Sequence, residues 1–505
     1  MSASERQKII VIGAGLGGIS AAISMASEGF DVELFEKNER IGGKLNILHK
    51  DGYTFDLGPS ILILPDIFRR LFEAAGERIE DYLELIEMNP QWRNFFEDKT
   101  VIDLYADIRE METQLAKFLP KDVEGYYSFI DYSRKLWKFA EEAYFARGAD
   151  YIKDITAGYK ILELIDRSDY FSSMARGIER YIRNPYLKNI MNFFIKYIGS
   201  SSYNAPAIFN LLPYSQLAYG EWYVKGGMYN IAESFGRLLD KLGVRTHLNS
   251  EVVEITKERP KVKGIRLKDG TFKSSDIIIS NMEVIPAYNQ LLNEEDQGFL
   301  ADYEKKFEPS CSGLVIHLGV DREYPQLQHH NFFFSKNQKK HFEDVYNKKI
   351  IPDDPTIYLV APTRTDKTLA PEGHEIIKIL PHIPYIQEPP FEKGEYESLK
   401  ERLYIKLERM GLENLRSHIV VEDMLVPDDI QRMYLSNKGS IYGIVADKKK
   451  NRGIRAPQRS ERYNNLYFVG GSVNPGSGMP MVLYSGQMIK NKILDDLNKQ
   501  GGYRE

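Results

Sequence analysis

Near each end of the chain a short apolar strand runs directly into a glycine-rich turn that opens a helix, and a second apolar strand near the start stops at a lone acid. Together these features predict an α/β fold. At its centre stands a parallel-sheet, dinucleotide-binding domain assembled from distant parts of the sequence. At 505 residues the chain exceeds one compact core, so two or three domains are expected.

The first strand is Ile9–Ile12, wholly apolar as befits the buried middle of a parallel sheet. GAGLGG follows, from Gly13 through Gly15 and Gly17 to Gly18, as a helical pattern begins at Ile19. Gly13 permits the tight turn, Gly15 lets backbone approach a pyrophosphate, and Gly18 lets helix pack on strand, with the helix N-terminus facing the anion. A second strand, Val32–Phe35, ends at Glu36, whose carboxylate suits the hydroxyls of an adenosine ribose and repels a 2′-phosphate. Ile41 then leads into Gly42, Gly43 and Lys44, two glycines and a cation that can track along a pyrophosphate and ribityl chain. That extended stretch favours FAD over NAD. Phe55-Asp-Leu precedes another tight turn at Gly58, Pro59 and Ser60.

The far end repeats the phosphate-loop logic. Leu466–Val469 is a short strand, Gly470 and Gly471 open a flexible loop ending at Gly478, Met479 and Pro480, and a helix starts near Met481 and Val482. Its dipole could stabilise charge at the N1/C2 edge of a reduced flavin.

Composition excludes other classes. The net charge is −5, with no nucleic-acid footprint, and the single cysteine, Cys311, excludes a disulfide framework and a cysteine-rich metal site and fits a reducing compartment. No signal peptide and no unbroken apolar run of about 20 residues is read, so contact with a membrane is expected at its surface. Tyr and Phe are abundant (32 and 25), which suits either large cores or a cavity for a long conjugated ligand.

These motifs, with Tyr223-Val-Lys-Gly-Gly-Met228 and the Asn465–Ser485 stretch, resemble the carotenoid desaturase and oxidase flavoproteins of the bacterial phytoene-desaturase type over essentially the whole chain. The resemblance implies a glutathione-reductase-type FAD domain, peripheral membrane attachment from the cytoplasm, and a polyene substrate in an apolar tunnel. It also implies an adenine contact through the backbone of Val253. Where desaturases carry a Thr-His pair in the last loop, this chain has Val473-Asn474. Gly199–Pro206, Asn281–Pro286, His329–Phe334, Pro381–Tyr385 and Ile441–Asp447 are similar to the branch that oxidises terminal methyl groups of C30 carotenoids. That branch implies conversion of diaponeurosporene or diapolycopene to an aldehyde, with O2 or a quinone as electron acceptor. A C30 desaturase acting on dehydrosqualene and a non-catalytic isoprenoid escort are the alternatives.

The expected organisation is an FAD-binding domain at 1–75, 215–285 and 420–505, a mostly helical, membrane-docking region at 76–214, and a mixed-sheet substrate domain at 286–419. The aromatic stripe from Tyr126 to Tyr144 and that from Ile190 to Ile198 fit either core packing or an interfacial face. Asn474, in the loop beside the expected flavin, is the candidate catalytic residue, although Asn before Pro is also ordinary turn chemistry. His329-His330 invites a metal, but neighbours on a strand face opposite ways and other ligands are lacking, so no metal is expected. His317 and His382 are candidate proton relays. Lys448–Lys450 with Arg452 and Arg455 reads as a solvated loop or a contact for anionic lipid.

Overall fold

The computed structural model describes residues 7–146, 148–156 and 159–500, so the outermost residues of the expected FAD domain lie outside it. Five parallel strands form the first sheet, in the order 245–247, 31–35, 8–12, 277–280 and 466–468. Both central strands, Lys8–Ile12 and Ile277–Ser280, are almost entirely buried, which only an apolar run tolerates when helices cover both faces. Helix Leu16–Ser27 packs on helix Met479–Gln500, where a side chain at Gly486 would meet the Ala21 nitrogen at 2.6 Å. Ser20 Oγ donates to the Leu483 carbonyl at 2.6 Å in the same crossing.

A three-stranded antiparallel sheet, 252–258, 261–267 and 272–274, is appended to this domain. The third large unit is an eight-stranded mixed sheet. Its path runs 419–425, 315–320, 375–383, 357–360, 330–333, 92–95 and 101–104, with 312–313 paired to the end of 375–383. All its pairings are antiparallel except that of 330–333 with 92–95.

This sheet departs from the expected boundaries at both ends. Trp92–Phe95 and Val101–Leu104 fall within the region read as mostly helical, yet they extend the substrate sheet. Ile419–Leu425 belongs to it as well, although 420 onward was expected in the FAD domain. Strand 92–95 takes its partner from more than two hundred residues away and 419–425 from about a hundred, which local patterning does not reveal.

Helices Pro120–Ala140, Met174–Tyr181, Pro185–Phe193 and Leu211–Tyr219 lie in the intervening region. Tyr126, Phe129, Leu136, Trp137, Ile190, Met191, Phe194, Ile195 and Ile198 are all buried, so both stripes pack inward. Among the described residues no helix is long and apolar enough to cross a membrane.

Candidate active site

Three backbone segments converge at the carboxyl end of the parallel sheet. A Cβ at Gly18 would stand 2.0 Å from the Gly13 carbonyl oxygen, so helix and strand approach as closely as the motif implies. Gly42 N donates to Ala14 O at 2.7 Å, and Gly15 and Gly42 form an isolated bridge. Gly43 packs on Gly15. The third segment joins at Gly58, where a Cβ would lie 1.7 Å from the Lys44 carbonyl oxygen.

Glu36 is buried beside them. Its Oε2 accepts from Ala14 N at 2.8 Å, and its Oε1 accepts from Asn38 N and Nδ2, both at 2.9 Å. Each oxygen keeps acceptor capacity for a ribose hydroxyl. Val253 sits at a bulge: Val252 pairs with Leu267 and Glu254 with Arg266, leaving Val253 out of the ladder and 39% exposed. Its backbone is thereby available to a ligand such as adenine.

The fourth side is the 470–481 loop. Gly17 faces Gly470, with the Asn281 amide between the two strands' ends. Gly471 lies near Ser477 and the Tyr442 carbonyl, and Gly478 near the Tyr197 carbonyl. Helix Met479–Gln500 opens there, with Val482 N donating to Gly478 O at 2.9 Å and Met481 partly exposed in its first turn. Ser477 Oγ is buried without a hydrogen-bond partner.

Two cations were read differently from sequence. Lys44 was expected on the phosphate or ribityl chain. Its Nζ instead donates to Ser440 O at 2.9 Å and Ile441 O at 3.4 Å, and lies 3.5 Å from Glu283 Oε1. Burial lowers the Lys44 pKa and raises that of Glu283, and their mutual attraction opposes both shifts. The ammonium's charge is already answered, so it ties the double-glycine turn to residues 283 and 440–441. Arg455 is not part of a surface run. It is buried against Phe209, and only its Nη1 is bonded, to Gly453 O at 2.7 Å. Burial lowers it to about 10.

Asn474 is buried and its amide is committed to the scaffold. Oδ1 accepts from Tyr144 Oη at 2.7 Å and Arg455 N at 3.0 Å, and Nδ2 faces the carbonyls of Asp150, Arg455 and Ala456 at 3.1–3.4 Å. No capacity remains to orient substrate or oxygen, so this geometry replaces the catalytic expectation with that of a loop anchor.

The histidines also resolve. His329 precedes its strand rather than lying within it, so alternation does not apply and the two rings stand 4.4 Å apart. His329 Nδ1 is hydrogen-bonded to Thr365 Oγ1 at 2.8 Å and His330 Nδ1 to Tyr358 Oη at 2.9 Å. Burial lowers both, and lowers His317 and His382 too. Among the described residues no three His, Cys, Asp or Glu side chains are grouped to hold a metal.

Lys378 and Asp56 were missed as site residues. Asp56 caps the turn after Gly227, accepting from Met228 N at 2.9 Å and Tyr229 N at 3.1 Å, so it wires the 223–228 motif to the 55–60 turn. Lys378, on strand Glu375–Ile383, donates to Asp56 O at 2.9 Å, to Gly58 O, and to Ser60 Oγ at 3.3 Å. A lysine inside the apolar run Ile376-Ile377-Lys378-Ile379-Leu380 is the signal that could have found it.

The residues fit a flavin dinucleotide: close backbone turns at 13–18, 42–44 and 58–60, a buried acid anchored on the first turn with acceptor capacity left for a ribose hydroxyl, and an unpartnered Ser477 hydroxyl in the fourth loop. Fold and site thus define a dinucleotide-dependent oxidoreductase. Residues 16–489 match the model for flavin-containing amine oxidoreductases, and the chain belongs to that family, with FAD as its cofactor. The chain is 53% identical to a 4,4′-diapolycopene oxygenase of a Methylomonas species, covering 98% of this chain and all of that one. It is 49% identical to a 4,4′-diaponeurosporene oxygenase of Staphylococcus haemolyticus strain JCSC1435, over 97% of each. Among solved structures, an oxidoreductase from Methanosarcina mazei shares the fold at a TM-score of 0.64 and 16% identity, covering 96% of this chain and all of that one.

Proposed function

We propose that this protein is an FAD-dependent oxidase that converts the terminal methyl group of a C30 diapocarotenoid to an aldehyde in carotenoid biosynthesis. The observation that carries the reading is the 53% and 49% identity, over nearly full length, to two oxygenases named for such substrates. The bound flavin supplies the electron sink for oxidation at an allylic carbon. The chain's own residues bind, orient and keep water out. An aromatic cluster that includes Trp92, Phe193, Phe332, Phe334 and Tyr358 packs where the helical layer meets the mixed sheet, and its faces suit a polyene. Glu36 and Val253 hold the adenosine end, the 13–18 and 42–43 turns the pyrophosphate, and 58–60 with 470–482 flank the ring.

Oxygen, or a quinone, takes up the electrons, and the enzyme works against the cytoplasmic face of a membrane. Phe171, 68% exposed, with Lys448 bonded to its carbonyl, supports such a face. The test is to supply diaponeurosporene to the purified holoenzyme under isotopically labelled oxygen. Labelled aldehyde is expected. New double bonds without label would make it a desaturase, and a protein that takes up no flavin would make it an escort.

A further inference from the structure

Beside the 470–481 loop, three ionisable side chains meet inside the aromatic cluster without satisfying one another. Lys196, Glu221 and His330 are all buried. Lys196 Nζ stands 4.0 Å from the ring centre of Tyr197, 4.7 Å from Tyr358, 4.8 Å from Trp92 and 5.2 Å from Phe332. Glu221 Oε1 accepts from Trp92 Nε1 at 3.2 Å and lies 3.8 Å from His330 Nε2. His330 Nε2 and Glu221 Oε2 have no hydrogen-bond partner, although the Tyr197 side chain is close enough to Glu221 to pull its pKa down against burial. The Tyr197 hydroxyl itself donates to Gln216 Oε1 at 2.5 Å. Lys196 and Glu221 attract each other through space without side-chain hydrogen bonding. Burial raises Glu221 to about 8 and lowers Lys196 to about 7.

Packing that only buries hydrocarbon gains nothing from these groups. An unpaired buried acceptor costs about 1–3 kcal/mol, and apolar replacements of buried ion pairs are often neutral or stabilising. A polar atom of a ligand entering the cluster would give these groups the partner they lack. Its position says which end of the ligand that is. Lys196 precedes Tyr197, whose carbonyl lies 3.7 Å from where a Cβ of Gly478 would stand. Glu221 lies on a strand paired with Leu62–Ile63, just beyond the 58–60 turn. Both segments therefore abut the flanks assigned to the flavin ring.

We propose that Lys196, Glu221 and His330 form a polar subsite for the oxygen-bearing terminus of a part-oxidised polyene, the alcohol and then the aldehyde. This rests on the function proposed above. A hydroxyl can donate to Glu221 Oε2 and accept from Lys196 Nζ, and a carbonyl accepts from Lys196 Nζ, while the surrounding rings contact the conjugated chain. Lys196 and Glu221 thereby act as positioning and specificity residues that hold the alcohol for its second oxidation.

The test uses the holoenzyme and the variants Lys196→Met and Glu221→Gln, checked for flavin content and melting temperature. With the methyl-terminated polyene, the released aldehyde-to-alcohol ratio should fall about tenfold or more in each variant, the loss expected for one charged hydrogen bond. Separately, aldehyde-terminated polyene is titrated without turnover. At pH 6, where Lys196 is protonated, the polyene's visible band should shift to the red on wild-type protein, because the ammonium polarises the carbonyl, and should lose that shift on Lys196→Met. Unchanged product ratios together with an unshifted band would overturn the subsite. If Lys196→Met loses its flavin, Glu221→Gln and the wild-type band decide. If wild-type enzyme adds no oxygen, the proposed function fails, and the aldehyde titration still judges the subsite.

Discussion

Replacing Lys378 with methionine tests how the mixed sheet holds the 58–60 turn proposed to flank the flavin. The ammonium serves Asp56 O, Gly58 O and Ser60 Oγ at once, and burial moves its pKa from 10.5 to about 8. At pH 7 it is still charged. Methionine keeps the length of the side chain but leaves these acceptors unpaired, a loss of about 3 kcal/mol net of the relieved burial. The pH profile gives a second signature. Because the folded pKa lies below the unfolded one, the unfolded chain binds the extra proton between pH 8 and 10.5. Wild-type stability should therefore gain about 3 kcal/mol from this group as pH rises through that window, at about 1.4 kcal/mol per pH unit. The variant lacks the gain. Denaturant unfolding of both proteins across the window measures the difference, and retained flavin absorbance reports the turn. Parallel profiles and undiminished flavin in the variant would refute the reasoning.

Gly18→Ala places a methyl 2.0 Å from the Gly13 oxygen, backbone against backbone, and should give protein that purifies without flavin. Glu36→Gln can no longer accept from both Ala14 and Asn38, and FAD affinity by equilibrium dialysis should fall about tenfold. Asn474→Ala should lower stability by about 2–4 kcal/mol, because Tyr144 and the carbonyls facing its amide lose their partner, while the distribution of oxidised products stays that of wild type. A stable variant with altered products would return Asn474 to the chemistry.

How much was legible follows from how local each signal is. The 13–18 turn, Glu36 and the 42–43 turn are read within forty residues, because a phosphate loop needs its strand, glycines and helix in immediate succession. The 470–481 loop obeys the same grammar. The strands at 92–95 and 101–104 were illegible: WRNFFEDKTVIDL carries charges among its apolar residues, and its link to the mixed sheet, through 330–333, lies more than two hundred residues away. Asn474 misled because loop position suggests a role that its hydrogen-bond partners, 18 to 330 residues away, take up. Lys44 did so for the same reason, since Glu283 and Ser440 are distant in sequence.

The outer parallel strand, 466–468, joins the sheet beside 277–280, and the helix that follows it is locked to 16–27 through Gly486, across more than 450 positions of sequence. Until that segment docks, the mixed sheet can already be complete while the parallel sheet lacks its outer strand. Loading of the coenzyme must then follow that docking, and clipping after residue 465 would leave a colourless protein whose mixed sheet is intact.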